Sequence, residues 1–497
     1  MVEPWLDVVE KVTEFFASAQ IEACARRTGF VRRASKITGK VFLALVTLGA
    51  WSTRTTSLGQ LAAKAAQLPT PVDISPEALH QRMTRRAVAF LQALLQGAFA
   101  QLHTGTTVCD PELFAPFTAV HIADSTGFAL PPALKELFPG HGGGASVAGA
   151  KIQLVWEYLS HSFAHLALVA GTTPDNKYID TVLKLAQRGA LFLFDLGYFK
   201  VIALAQIAEA EAYFLTRLNH QTALYAAVAE RLRRVELSQL LHGESRSLVE
   251  HSLYLGAGER LAVRLIAARV PEAVVNERRR KARKAARKRG YTPSHAHLAL
   301  LAWNLFVTNV SGTIWTPATV CKAYSLRWQV ELVFKSWKSD LHLATVPTKT
   351  EAPTLCYLYG RLLLIVLAYA LCPALRTALW TRQQRELSFL KLVRYLQALA
   401  DRWLQALFAS PAHLRHWLSQ VCVRAQRVVA KTSRKRRTSA QQLRESLEAQ
   451  NDFSKLTTRL LCFAQMARSG HMTAPSCCLA KISAKTSAAD CPRCKRS

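Results

Sequence analysis

The sequence predicts an α/β protein: a mixed sheet with helices on both faces, interrupted by a β-rich insertion and flanked by helical N- and C-terminal regions. Three observations predict it. Phe117-Thr-Ala-Val-His-Ile-Ala-Asp124-Ser-Thr-Gly and Ala190-Leu-Phe-Leu-Phe-Asp195-Leu-Gly are short apolar runs that close on an acid and turn residues, the pattern of strands. Between them lie two more strand patterns, at 151–158 and 163–170, and a helical one at 175–188, so strands and helices alternate as a mixed sheet requires. Residues 5–102 and 352–420 instead repeat apolar positions at three and four, as helices do.

The chain has 497 residues, half of them hydrophobic, enough for two or three domains with a substantial core. Lys and Arg number 64 against 33 Asp and Glu, a formal charge of +31. That excess favours a polyanionic partner, nucleic acid first and an anionic membrane second. The basic runs lack the apolar face a membrane-surface helix needs, and the apolar run 362–375 is shorter than a bilayer span, so no membrane is expected. MVEPWLDVVEKV carries acids where a signal peptide is basic, and eleven scattered cysteines fit a reducing cytosol.

In chain order, residues 1–110 form a helical N-terminal region. Ser75-Pro76-Glu77 is an N-cap, a proline at the first helical position and an acid in the first turn, so a helix starts at Pro76. It carries His80, Arg82, Arg85 and Arg86 and follows a helical stretch at 57–66. The pair is either a helix-turn-helix-like DNA reader or part of an ordinary bundle with a basic surface. Residues 111–345 hold the sheet, with Asp124 and Asp195 as candidate carboxylates at strand ends, where ligand sites of such sheets collect. After a strand at 212–218, residues 219–297 read as an insertion with strands at 247–255 and 261–270. It closes on a cationic run containing Arg278, Arg279, Arg280, Lys281, Arg283 and Lys284, either a DNA-backbone tracker or a solvated basic helix. A strand pattern at 298–310 follows.

The next stretch, AYSLRWQVELVFKSWKSDL, organises the rest. Arg327, Glu331 and Lys338 stand 3, 7 and 14 positions after Tyr324, which on one helix places all four within an arc of roughly 60°. Val330, Phe334, Trp337 and Leu341 form the adjacent apolar stripe. A carboxylate among cations on one face is either a solvated face of charge pairs or a site for phosphate and a divalent metal. Residues 346–420 are helical, with apolar faces suited to a bundle or a dimer interface. Residues 421–497 are basic and then polar, with Cys477, Cys478, Cys491 and Cys494 as a candidate zinc set.

The spacing Tyr-x2-Arg-x3-Glu-x6-Lys resembles the YREK helix of bacterial insertion-sequence transposases of the insertion-sequence-four family, a branch of the DDE transposases with a ribonuclease-H-like core. The resemblance runs over 117–341 and rests on HIADSTG, on LFLFDLGYF with FLTRL, and on YSLRWQVELVFKSWK. It implies that Asp124, Asp195 and Glu331 are the catalytic, metal-holding carboxylates. Clustered, they would repel one another without cations, and oxygen-only ligands select two Mg²⁺ or Mn²⁺ ions. It further implies that Tyr324, Arg327 and Lys338 hold DNA phosphates. Relatives with a hairpin step stack an extruded base on a tryptophan, here Trp303, with Trp328 and Arg217 as pocket partners; otherwise Trp303 is a core residue. The implied partners are double-stranded transposon ends and target DNA, the implied assembly a homodimer in a synaptic complex, and the expected location the bacterial cytoplasm, at the nucleoid. A transposase-derived DNA-binding protein without catalysis and a ribonuclease-H-like nuclease without strand transfer are the alternatives.

Overall fold

Residues 190–194, ALFLF, are apolar at every position, the signature of a strand covered on both faces by other layers. The structure, a computed structural model, describes residues 3–51, 56–102, 114–143 and 145–431 and places that strand at the centre of one sheet. Its strands are β1 (Ala119–Ala129), β2 (Gly149–Glu157), β3 (Ser162–Ala170), β4 (Ala190–Phe194) and β5 (Tyr213–Arg217). They continue with β6 (Leu224–Val228), β7 (Arg231–Val235), β8 (Leu248–Leu255), β9 (Leu261–Arg269) and β10 (Trp303–Thr308). The order is β3-β2-β1-β4-β5-β10-β9-β8-β6-β7. β1 is antiparallel to β2 and parallel to β4, and β4 is parallel to β5, which is the mixed ribonuclease-H-like arrangement.

Alternation sorts the two faces. Phe192, Phe194, Phe214, Leu265 and Ala267 join a core cluster with Leu204 and Ile207 of helix Val201–Glu209. Leu191, Leu193, Leu215 and Ile266, at the alternate positions, are equally buried and face the opposite layer. The β-rich insertion is not a separate body. β9 pairs with β10 antiparallel, so β6 to β9 extend the same sheet.

Several local expectations shift. The pattern at 175–188 yields a 3₁₀ turn, Asp175–Tyr178, and a short helix, Ile179–Leu183. The pattern at 298–310 divides into helix His295–Leu300, capped by the Ser294 hydroxyl, and β10. The helix from Pro76 ends at Arg82, because Met83 leaves helical geometry with ψ of 71°; Arg85 and Arg86 open the next helix, Arg85–Leu102.

The helices before and after the sheet intermix. Helix Glu351–Ala370 packs on Arg85–Leu102 and on the π-helical turn Leu45–Gly49, and helix Leu6–Phe15 packs on Pro411–Val428. Gly360 permits the closest approach: a Cβ there would stand 2.4 Å from the Val46 carbonyl oxygen. The segment Glu351–Gln383 is long and apolar enough to cross a membrane, but 83% of its most apolar window is buried inside this protein. Its apolar faces are therefore used within the chain. The candidate zinc cysteines, Cys477, Cys478, Cys491 and Cys494, lie outside the described residues, as does most of 421–497.

His161, at the β2–β3 turn, is buried and stacked on Phe389 at 4.9 Å, with no partner for its Nδ1. Burial, and then the charges of Arg376 and Lys431, hold its ring well below the usual histidine range. The unfolded chain takes this proton as pH falls through about 6.5 while the folded chain does not. Stability is therefore full above that pH and drains below it, by roughly 1 kcal/mol per pH unit. Denaturant titrations at pH 7.5 and 5.5 should show the loss. His161→Asn, which tolerates the positive φ of 58° here, should flatten it.

Candidate active site

β1 runs five residues beyond Asp124, correcting the expectation that this strand ends there. What ends is its parallel neighbour. β1 and β4 pair as far as Ile122 with Leu193, and β4 stops at Phe194, so Asp195 leaves the sheet two residues on, level with Asp124. Both side chains follow the face of Ile122 and Leu193, the face on which helix Trp328–Ser339 packs.

The YREK stretch is not one helix. Helix Pro317–Tyr324 gives way to a 3₁₀ turn, Ser325–Arg327, before helix Trp328–Ser339. The apolar stripe is as expected, with Val330, Phe334, Trp337 and Leu341 all buried. Glu331 stands in the first turn of its helix and Lys338 in the last, each favoured by the helix dipole.

The site side chains meet. Arg327 donates from one terminal nitrogen to Asp124 Oδ2 at 2.8 Å and from the other to Glu331 Oε1 at 2.9 Å. Tyr324 Oη stands 3.4 Å from Asp195 Oδ1 and stacks on Phe306 at 4.9 Å. Lys338 Nζ reaches across to the Gly127 carbonyl at 2.8 Å, tying the helix to β1. Among the described residues no three carboxylate, histidine or cysteine side chains converge on one point as a preformed ion cage would. The carboxylates are instead knitted together by Arg327 and Tyr324.

Burial raises the Asp124 carboxyl to about 6; Asp195 and Glu331 push the same way, against the Ser125 N–H and Arg327. Burial works against the Arg327 charge, but Asp124, Tyr324 and Asp195 outweigh it, and the guanidinium holds its proton more tightly than usual. Its Nε has no protein partner. The donor set suits a hard divalent cation: every ligand is an oxygen, and a buried carboxylate beside two others calls for more positive charge than one guanidinium supplies.

Other candidate residues sit differently. Trp303 belongs to the core cluster, with the Arg269 guanidinium 4.6 Å over its ring, which is a packing position. Trp328, 61% exposed, is free to stack, and Arg217 ends β5 half-buried opposite Phe306. Arg82 is spent internally, donating to the Phe30 carbonyl and lying 4.4 Å over its ring; Arg85 pairs with Glu351, and Arg86 is exposed. Within helix Glu272–Lys288, Arg278 donates to Leu301, Trp303 and Asn304 and Arg279 to the Leu298 carbonyl, so both fasten the helix to the fold. Arg280, Arg283 and Lys284 are exposed, while Lys281 pairs with Glu277 at 2.7 Å. The sequence did not mark Asp175, whose Oδ1 receives Ser125 Oγ, Lys151 Nζ and Gln153 Nε2 at 2.8, 3.0 and 2.8 Å.

Carboxylates gathered on one rim of a mixed sheet beside a phenol, a guanidinium and an ammonium define an enzyme of phosphodiester chemistry. The family described as "Transposase DDE domain" matches residues 115–367, just over half of the chain. The chain belongs to that family and is a DNA transposase of the insertion-sequence kind. Its relatives include the transposase for insertion sequence element IS231B of Bacillus thuringiensis subsp. berliner, 29% identical over 78% of this chain and 84% of that one. The transposase for IS1151 of Clostridium perfringens is 29% identical over 79% and 86%. Among solved structures, a piggyBac transposase synaptic complex with hairpin DNA aligns over 89% of this chain and 88% of that one, at 11% identity and a TM-score of 0.46.

Proposed function

We propose that Asp124, Asp195 and Glu331 together hold two divalent ions, Mg²⁺ or Mn²⁺, and cut and rejoin DNA strands at the ends of the element. The observation that carries this is their placement on one face: two aspartates level with each other at neighbouring strands, and a helix-borne glutamate joined to one of them through Arg327. Ions so held supply charge neutralisation at the scissile phosphate and a more acidic water or 3′-hydroxyl. The chain's own groups orient the DNA. Arg327, whose terminal nitrogens bridge Asp124 and Glu331 here, would grip a phosphate once bound ions take over those two carboxylates and release it. Lys338 has N–H groups beyond the one given to Gly127, and Tyr324 presents its hydroxyl beside Asp195. Trp328 is the stacking surface available to an unpaired base. Calorimetric titration of Mn²⁺ should count two ions per chain in the wild type and fewer in Asp124→Asn or Glu331→Gln; an unchanged count in both variants contradicts the assignment.

The exposed face of helix Glu272–Lys288 is proposed to follow the DNA backbone through Arg280, Arg283 and Lys284, joined by Arg231 and Arg233 of the exposed strand β7. Reversing Arg280, Arg283 and Lys284 to glutamate should weaken DNA binding roughly tenfold or more at 0.1 M salt and flatten its salt dependence by about three phosphate contacts. Arg278→Ala should chiefly cost stability, since its partners are carbonyls and Asn304. Arg86 is exposed and has no ion-pair partner among the described residues, whereas Arg82 is held by the Phe30 carbonyl and Arg85 by Glu351, so Arg86 is the candidate kept as a DNA contact.

Two copies pairing two ends in a synaptic complex complete the proposal. The working location that follows is the bacterial cytoplasm, on the nucleoid.

A further inference from the structure

Asp175 sits below the two catalytic strands and takes no part in the roles assigned so far. Its Oδ1 is fully engaged by Ser125 Oγ, Gln153 Nε2 and Lys151 Nζ. Lys151 also donates to the Thr173 carbonyl at 2.8 Å, which anchors the segment that delivers Asp175. Its other oxygen lies over Gly197, near enough that an added Cβ would meet Oδ2 at 3.1 Å. One carboxylate therefore bonds the residue after Asp124 and leaves room only for glycine two residues beyond Asp195.

Each contact leads to a catalytic carboxylate. The Ser125 N–H donates to Asp124 Oδ1 at 2.8 Å and so fixes its rotamer. Gly197 lies in the 3₁₀ turn Leu196–Tyr198 that Asp195 caps, and the Tyr198 N–H donates to the Asp195 carbonyl at 3.0 Å. Gln153, opposite Ser125 in the β1–β2 register and fully buried, also accepts from the Tyr198 hydroxyl, closing the network.

Ser125 alternates with Asp124 along β1 and so points to the other face of the sheet. Asp175 reaches it from that side, away from the DNA and from any ion held by the three carboxylates. A half-buried carboxylate with one oxygen accepting three hydrogen bonds and the other lying over Gly197 is committed to holding structure.

We propose that Asp175 is a positioning residue of the cleavage reaction: from the face opposite the catalytic carboxylates it locks Ser125 and Gly197, and through them the spacing of Asp124 and Asp195. The inference rests on the reading of those two aspartates as metal ligands. A positioning group of this kind should act on the affinity for metal and on the cleavage step, leaving DNA binding alone.

The test measures single-turnover cleavage of an element-end duplex against Mg²⁺ concentration, with DNA affinity and thermal melting recorded for every variant. Asp175→Ala should raise the half-saturating Mg²⁺ concentration about 10- to 100-fold and leave DNA affinity within about twofold. Asp175→Asn, which keeps an acceptor for Ser125 but loses the charge facing Lys151, should fall between the alanine variant and the wild type. It also serves as the reporter if the alanine variant does not fold. Leu418→Ala, which opens a cavity at a fully buried side chain in the helical part, supplies a destabilised control whose Mg²⁺ dependence should not move. A Mg²⁺ half-saturation equal to the wild type in both Asp175 variants, or a loss matching the folded fraction alone, overturns the proposal. Asp124→Asn separates the two levels. If it still cuts, the metal-ligand reading fails; if it is inactive while the Asp175 variants behave as wild type, only the positioning role fails.

Discussion

Glu331→Gln is expected to lower the rate of strand cleavage by roughly a thousandfold or more while DNA affinity changes by less than about twofold. Glutamine keeps the size and one acceptor oxygen, so Arg327 retains a hydrogen-bond partner and the helix keeps its docking. What goes is the negative charge, and with it a ligand for a hard cation. A metal ligand acting on the transition state supplies several kcal/mol, and about 4 kcal/mol corresponds to a factor near one thousand. Gel-based cleavage of an end duplex in Mg²⁺, beside fluorescence anisotropy for binding, measures both. A protein that still cuts at more than a tenth of the wild-type rate would remove Glu331 from the site.

The largest loss of stability is expected from Trp337→Ala, at about 3 to 5 kcal/mol. Trp337 is fully buried on the helix that carries Glu331 and Lys338. It stands edge-on to Phe163 of β3 at 5.6 Å, to Phe334 at 5.3 Å and to Tyr369 at 6.1 Å, so it joins the sheet, the helix of Glu331 and helix Glu351–Ala370. The loss combines transfer energy with a cavity. Guanidinium denaturation should show it as a lowered midpoint. Trp337→Phe, which restores a ring, should recover more than half.

The central part of the fold was legible because local chemistry and tertiary demand agree there. Uninterrupted apolar character in 190–194 announces a strand buried on both faces, and the run Tyr213-Phe-Leu that opens 213–217 announces its neighbour. The spacing of Tyr324, Arg327, Glu331 and Lys338 predicts a shared face, although the chain gathers them through a helix, a 3₁₀ turn and a second helix. Ser325, Leu326 and Arg327 are ordinary helix formers, and nothing local marks the 3₁₀ turn they adopt. Arg327 is drawn to Asp124, more than two hundred residues earlier.

Where the sequence was silent, the deciding partner is distant. That β1 continues past Asp124 depends on β2, which still pairs with it, and on β4, which has ended. Arg278 and Arg279 look like their cationic neighbours, yet carbonyls of 298–303 claim them. Strand β7, RLRRV, is exposed along four of its five residues and shows no apolar alternation to announce it. Asp175 follows Pro174 and reads as the opening acid of a helix; only the fold brings Ser125, Lys151 and Gln153 to it.

The most direct test of the metal-held carboxylate site is cleavage of an end duplex carrying a phosphorothioate at the scissile phosphate, compared in Mg²⁺, in Mn²⁺ and in EDTA. The account predicts no cleavage in EDTA, a strong loss for the sulfur-substituted DNA in Mg²⁺, and recovery in Mn²⁺, which accepts sulfur more readily. Cleavage that persists in EDTA, or that ignores both the sulfur and the choice of metal, would contradict it.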